Sequence, residues 1–155
     1  MRQDFTIGID CGSTTTKAVV FSRAGEIVGL GRRRVPQYMD EPRHVERDMH
    51  EAWRAVVEAV RDALESSGVP PQAIAGVGVT AHGDGLFVLD RSSNPLGRGI
   101  MSLDSRGTEL HEEWKREGRL EKVVPIAGQR PYPYSATTLL AWMKRHQPDR
   151  YAEIG

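Results

Sequence analysis

The chain has 155 residues, with 21 basic and 21 acidic side chains and therefore a formal net charge of zero at pH 7. This length predicts one domain, and the neutral charge gives no electrostatic argument for a nucleic-acid partner or an anionic membrane surface. The single cysteine, Cys11, excludes an internal disulfide, and no apolar stretch reaches the roughly 18 residues of a membrane span, so we expect a cytoplasmic protein.

Three strands are predicted at the N-terminus, over residues 5–10, 17–22 and 26–33, because these segments are rich in β-branched, aromatic and aliphatic side chains. The short connections between them predict an antiparallel meander. The first connection, after Asp10, is a turn of small and hydroxyl residues that begins with Cys11-Gly12-Ser13-Thr14. Backbone N–H groups and hydroxyls in such a turn can hold phosphate oxygens, and the preceding carboxylate can hold a metal ion directly or through water. Taken alone, the turn is explained equally well as an ordinary hairpin with an acidic shoulder.

A helix is predicted after the loop over residues 35–45. Asp48 and Glu51 form a capping-box pattern at its start, and Gly68 provides a stop signal at its end. Its apolar side chains fall on one helical face and predict a stripe that packs into the core. These side chains are Trp53, Val56, Val57, Val60 and Leu64.

Downstream of this helix, residues 74–80 predict a buried strand, which we expect to run parallel to the first because a helix connects them. Two short strands and three helices follow. They are predicted over residues 86–89, 99–103, 108–117, 135–145 and from 148 onward.

Two polar clusters follow apolar segments where ligands are usually bound in α/β proteins. The first contains His82, Gly83 and Asp84, and its donor and acceptor groups suit a polyhydroxylated ligand; an ordinary Gly-Asp-Gly turn is the alternative. The second contains Asp104 and Arg106, which suit hydrogen bonds to sugar hydroxyls; a helix cap with a surface arginine is the alternative. The histidines lack the spacing of a metal site.

Three blocks of sequence, in this order, resemble the FGGY family of carbohydrate kinases in the actin/hexokinase superfamily. GIDCGSTTTKAVVF is similar to the family's phosphate motif. IAGVGVTAHGDGLFVLD, followed by NPLGRGIMSLDSR, is similar to its substrate hairpin, which ends in D-x-R. The segment from Leu120 to Gly155 is similar to the region that packs over the sugar. The resemblance implies an α/β, ribonuclease H-like fold: a mixed sheet with an antiparallel three-stranded meander, flanking helices and a substrate-site hairpin insertion.

The resemblance also implies roles for individual residues. Asp10 would orient Mg²⁺ near the phosphates of ATP. The residues that would surround the β- and γ-phosphates are Gly12, Ser13, Thr14, Thr15 and Lys17. The residues that would face the sugar are His82, Gly83, Asp84, Asp104 and Arg106.

By this resemblance, residues 1–155 are the N-terminal actin-like domain of a kinase for a small sugar or polyol such as L-xylulose, 3-keto-L-gulonate or erythritol. Glycerol kinases of the family carry an Arg-Glu pair where this chain has Gly83-Asp84, which argues against glycerol. The family's catalytic aspartate and adenosine motif lie further along than Gly155, so we expect the domain to be incomplete and inactive by itself. A homodimer of the full-length protein is a further expectation. The alternatives are a non-catalytic nucleotide- or sugar-binding module and an actin-like ATPase scaffold.

Overall fold

The computed structural model of the protein describes residues 4–155. Its strands are β1 (Phe5–Cys11), β2 (Thr15–Ser22), β3 (Ile27–Arg34), β4 (Glu46–Arg47), β5 (Ile74–Ala81) and β6 (Gly99–Ile100). Its helices are α1 (Met49–Ser67), α2 (Thr108–Arg116), α3 (Arg119–Ala127), α4 (Ala136–His146) and α5 (Pro148–Ala152), with a 3₁₀ turn at Pro71–Ala73. The structure contains two compact units, the first of residues 4–36 and 50–82 and the second of residues 37–49 and 83–155.

The first unit is built on a four-stranded mixed sheet in the order β3-β2-β1-β5. The pairs β1–β2 and β2–β3 are antiparallel, and β5 runs parallel to β1, so both the predicted meander and the predicted parallel strand are confirmed. The register places Asp10 of β1 between Lys17 of β2 and Thr80 of β5. The ends of three strands therefore meet beside the turn that follows Asp10.

Helix α1 packs on this sheet through small residues. A Cβ atom on Gly31 of β3 would lie 2.0 Å from the carbonyl oxygen of Ala59, and one on Gly29 would lie 2.3 Å from that of Ala63. Ala59 and Ala63 are accordingly buried, whereas Trp53, predicted to face the core, is largely exposed. The predicted stripe was wrong at Trp53. Strand and helix approach so closely that only small side chains such as alanine fit between them, whereas hydropathy favours larger side chains for a buried face.

Strand β5 differs from its prediction as a buried strand. Among the strands that the structure describes, it has one hydrogen-bonded neighbour, β1, and lies at the edge of the sheet. Val77 and Val79 are 59% and 68% exposed. An apolar run is found both in strands that are covered on both sides and in strands at the edge of a sheet. The exposure of β5 could therefore not be deduced from its composition.

The second unit combines a small antiparallel sheet with helices. β4 pairs with β6, and Leu86 forms a bridge with Ile100, so the two predicted short strands are present only as shorter pairings. The core of this unit contains Ile100, Leu139 and Met143. The predicted helices α2 and α4 are confirmed. Arg145 of α4 donates two hydrogen bonds to the carboxylate of Glu113 of α2, and these bonds lower the pKa of Glu113.

Two helical features of this unit differ from prediction. Helix α3 was not predicted, and it contains Pro125, a residue that usually marks the end of a helix. The last helix ends at Ala152 and is followed by a bridge between Ile154 and Asp90. No helix within residues 4–155 is both long and apolar enough to cross a membrane.

Candidate functional site

The turn between β1 and β2 is held in a narrow conformation by Gly12. A Cβ atom at this position would lie 2.7 Å from the carbonyl oxygen of Thr15, so only glycine fits without a shift of the backbone. The N–H of Val35 donates to the carbonyl of Thr14 at 3.0 Å and ties the turn to the end of β3. Thr14 itself is exposed, while Ser13 and Thr15 are half-buried. The predicted phosphate-binding residues therefore lie close together in the chain, in the β1–β2 turn and at the start of β2.

Asp10 and Lys17 flank this turn as opposite partners in the β1–β2 register. The Lys17 Nζ lies 3.6 Å from the Asp10 Oδ2, and the two side chains are 52% and 46% exposed. A half-exposed pair of this kind is only weakly held, because solvent screens the attraction. The pair can therefore separate when a ligand binds, with Lys17 contacting a phosphate and Asp10 contacting a cation.

His82, at the end of β5, contacts the same region. Its backbone N–H donates to the carbonyl oxygen of Cys11 at 3.2 Å, and its ring Nδ1 lies 3.1 Å from that same oxygen. A carbonyl oxygen only accepts hydrogen bonds, so this contact requires the proton to be on Nδ1. The first unit therefore brings together Asp10, Lys17 and His82 at the carboxyl ends of β1 and β5.

Asp84, in the second unit, has an unusual backbone conformation. Its φ angle is +59°, in the left-handed region that few residues with a side chain adopt. The side chain is exposed and makes no hydrogen bond or ion pair with any residue in the part of the chain that the structure describes. The exposed, unpaired carboxylate can accept hydrogen bonds from the hydroxyl groups of a ligand.

The glycines on either side of Asp84 differ in their surroundings. Gly83 is exposed, with open space around its Cα. Gly85 is buried, with a φ of +85°, and a Cβ there would lie 2.5 Å from the carbonyl oxygen of Ile100. Gly85 also donates its N–H to the carbonyl of Tyr134 at 3.1 Å. The Asp84 segment is therefore anchored on its C-terminal side.

Asp104 and Arg106 lie in a buried ion-pair network. Their side chains are 0% and 2% exposed, and Arg106 Nη2 lies 2.8 Å from Asp104 Oδ2 and 2.7 Å from Glu46 Oε1. Asp104 also accepts the backbone N–H of Val45 at 2.7 Å. These bonds occupy both oxygens of Asp104, whereas Nη1 of Arg106 is buried without a hydrogen-bond partner and Arg106 lines a cavity of about 530 Å³. Direct contact of either side chain with a sugar stays a prediction.

Two contacts near these positions were not predicted from the sequence. Glu46 of β4 is a second, partly exposed acceptor for Arg106, and a single glutamate carries no recognisable sequence pattern. Tyr134 supports Gly85 through its backbone and stacks on Tyr132, with ring centroids 5.5 Å apart. The motif Tyr132-Pro133-Tyr134 signals a rigid aromatic loop, but a backbone acceptor cannot be recognised from side-chain identity.

The described residues contain no group of three or more histidine, cysteine or carboxylate side chains that could hold a metal ion by themselves. A single half-exposed carboxylate at Asp10 instead suits Mg²⁺, which keeps several waters and is commonly bound by one or two carboxylates together with substrate phosphates.

Comparison with known proteins extends this description. Residues 5–155 match the model of the FGGY family of carbohydrate kinases, N-terminal domain. A probable L-xylulose kinase from Pasteurella multocida is 38% identical over 152 residues, which make up 98% of this chain and 32% of that protein. The L-xylulose/3-keto-L-gulonate kinase of Escherichia coli is 38% identical over 151 residues, 97% of this chain and 30% of that protein. The chain thus spans about a third of the length of these relatives.

Solved structures agree on the fold. The crystal structure of a xylulose kinase from Rhodospirillum rubrum superposes with a TM-score of 0.88 at 22% identity, covering 97% of this chain and 31% of that one. A gluconate kinase from Lactobacillus acidophilus gives a TM-score of 0.89 at 21% identity, with coverage of 97% and 30%. At such identities the likeness concerns the fold, which is the actin/hexokinase-like α/β arrangement with a mixed sheet.

Proposed function

Since this chain belongs to the FGGY family of carbohydrate kinases, we propose that it is the N-terminal part of an enzyme that transfers the γ-phosphate of ATP to a hydroxyl group of a small sugar. The observation that carries the proposal is the narrow Gly12 turn flanked by the half-exposed pair Asp10 and Lys17. Phosphoryl transfer depends chiefly on positioning and on stabilisation of charge, and this arrangement supplies both at one end of the phosphate chain.

Each residue of the turn has a distinct part in this proposal. Backbone N–H groups from Gly12 onward and the hydroxyls of Ser13, Thr14 and Thr15 surround the β- and γ-phosphates, and Lys17 contributes a positive charge. Asp10 holds Mg²⁺, which supplies neutralisation of phosphate charge when it is bound.

On the sugar side, His82, Gly83 and Asp84 are the proposed contacts. An unpaired carboxylate such as that of Asp84 accepts hydrogen bonds from hydroxyls, and the absence of a side chain at Gly83 allows a close approach. L-xylulose is the first candidate, because two of the relatives reported above are named for it. 3-Keto-L-gulonate and erythritol come next. A cytoplasmic location, a homodimer, and the lack of nucleic-acid and membrane partners are proposed with the same enzyme.

The test uses the full-length protein and ATP with a panel of L-xylulose, 3-keto-L-gulonate, erythritol and glycerol. We expect Asp10→Asn to lower kcat about 100-fold or more, because it removes a preorganised charge from the phosphate end of the site. Asp62→Asn is the matched control, since Asp62 is also paired with a cation, Arg33, but lies on α1.

If the wild-type protein phosphorylates none of these sugars, the kinase proposal is refuted. Binding of ATP or a sugar without turnover would favour a non-catalytic module. Equal rates for Asp10→Asn and Asp62→Asn would refute the role of Asp10 alone.

A further inference from the structure

We propose that Arg106 is a positioning residue, which fixes the segment that carries Asp84 by locking two neighbouring segments together. The lock consists of Glu46, Asp104 and Arg106, and all of its members and Asp84 lie in the second unit. The inference rests on the proposed function, because Asp84 is there the sugar-binding carboxylate. It gives Arg106 a role that does not require contact with the sugar.

The guanidinium of Arg106 is shared between two carboxylates. Its Nε and Nη2 donate to the two oxygens of Asp104 at 2.9 and 2.8 Å, and Nη2 also donates to Glu46 at 2.7 Å. The guanidinium carbon lies 5.0 Å from the centre of the Trp142 ring. Such a planar fork cannot be replaced by the single point charge of lysine without loss of geometry. Removal of Arg106 would leave the fully buried Asp104 carboxylate and the largely buried Glu46 carboxylate without the guanidinium that they share.

Asp104 extends this lock to the backbone. One of its oxygens accepts the N–H of Val45 at 2.7 Å, and the other accepts the N–H of Arg106 at 2.9 Å. Around them, Met101 donates its N–H to the carbonyl of Val45 at 2.9 Å, and Ser105 donates to Arg43 at 3.0 Å. The loop over residues 43–46 is therefore fastened to residues 101–106 by both side-chain and backbone bonds.

The link from this fastening to Asp84 is continuous. Glu46 of β4 pairs with Ile100 of β6, and Ile100 exchanges two backbone hydrogen bonds with Leu86, both of 2.8 Å. Leu86 follows Gly85, whose backbone lies so close to the Ile100 carbonyl that no side chain fits between them. Asp84 is the next residue toward the N-terminus, in its strained left-handed conformation. A shift of β4 or β6 is therefore passed directly to the Asp84 carboxylate.

The experiment compares Arg106→Met, Arg106→Lys and a control, Arg98→Met, in the full-length protein. Arg98 is a suitable control because it joins residues that flank the two segments of the lock, through a 2.6 Å bond to Asp40 and a 3.7 Å contact with the Tyr38 ring, and has neither Glu46 nor Asp104 as a hydrogen-bond partner. We expect Arg106→Met to raise the KM for the sugar about 10-fold or more, because small misplacements of binding groups are costly, while the KM for ATP is unchanged. We expect a smaller rise in the KM for the sugar in Arg106→Lys and little rise in Arg98→Met.

A second measurement does not depend on kinase activity. In hydrogen–deuterium exchange, peptides that contain Val45, Leu86 and Ile100 should exchange faster in Arg106→Met, and also in Arg106→Lys to a lesser degree, than in Arg98→Met. Equal exchange in the Arg106 and Arg98 variants would overturn the inference, and so would a rise in the KM for ATP that equals the rise for the sugar. If the wild-type protein phosphorylates no sugar, the proposed function fails, and the exchange comparison still decides whether the lock exists.

Discussion

Asp84 combines three properties: a left-handed backbone, an exposed side chain and a carboxylate without a partner among residues 4–155. The left-handed conformation of a non-glycine residue costs on the order of 1 kcal/mol of stability, and the exposed side chain makes no hydrogen bond or ion pair within these residues that would offset this cost. Asp104, 20 positions further on, is its opposite, because it is fully buried and engaged in four hydrogen bonds. Two aspartates that look alike in sequence therefore differ in what they contribute to stability and to binding.

We expect this difference to separate the variants Asp84→Asn and Asp104→Asn. Asparagine tolerates the left-handed conformation, so Asp84→Asn should change the free energy of unfolding by less than about 0.5 kcal/mol. It should nevertheless lower kcat/KM for the sugar about 10- to 100-fold, the effect of losing a charged hydrogen-bond acceptor. Asp104→Asn should lower the free energy of unfolding by about 3 kcal/mol, because it breaks a buried ion pair. Urea unfolding and steady-state kinetics on the same preparations measure both effects, and a destabilised Asp84→Asn would contradict the assignment.

At the level of elements, the contact between β3 and α1 depends on glycine rather than on hydrophobic bulk. At Gly31 the carbonyl oxygen of Ala59 occupies the place of a Cβ atom, at 2.0 Å, whereas Gly76 of β5 has nothing within 4 Å of that position. Neither glycine has a positive φ, so the two sites differ in space and not in backbone strain. They form a matched pair for testing how the helix is held on the sheet.

We expect Gly31→Ala to lower the free energy of unfolding by about 2 kcal/mol or more, because the helix must move away from the strand to admit a methyl group. Gly76→Ala should leave it unchanged or raise it by up to about 1 kcal/mol, since alanine reduces the freedom of the unfolded chain. The midpoints of urea unfolding provide the comparison. Similar midpoints for the two variants would show that α1 adjusts freely over β3.

The same contact shows which elements could be predicted from the sequence and which could not. The meander and the parallel β5 were predicted because turn residues and β-branched runs report on local backbone geometry. The buried face of α1 was only partly predicted, since hydropathy ranks Trp53 above Ala59 and does not register the glycines of β3. Helix α3 was missed because Pro125 lies inside it and because both of its ends are formed by glycines with positive φ, Gly118 and Gly128.

The candidate site was also only partly predicted from the sequence. Asp10 and Lys17 were predicted together because they flank one turn and therefore meet in the register of one hairpin. The burial of Asp104 and Arg106 was not predicted, because a charged residue in a connecting segment is ordinarily exposed. Their burial depends on Glu46, 60 positions before Arg106, and such a pairing is fixed by tertiary structure alone.

At the level of the whole molecule, the 155 residues leave an apolar sheet edge uncovered. Strand β5 has a neighbour on one side only among the described strands, and Val77 and Val79 are more than half exposed. An edge of this kind presents unpaired N–H and C=O groups together with apolar side chains, which favours pairing with the same edge of another copy. Natural edge strands often carry a lysine that prevents such pairing, and β5 has none over Ile74–Ala81.

We therefore expect the 155-residue chain, produced by itself, to self-associate as its concentration rises, and Val79→Lys to shift it toward the monomer. Ile126→Lys is the matched control, because Ile126 is 88% exposed but lies on a helix, α3, and not on a strand. Both variants add one positive charge and remove one exposed apolar side chain, so a difference between them isolates the contribution of the edge. Sedimentation velocity over a range of concentrations measures the association. A monomeric wild-type chain, or equal effects of the two lysines, would show that the exposed edge of β5 does not drive self-association.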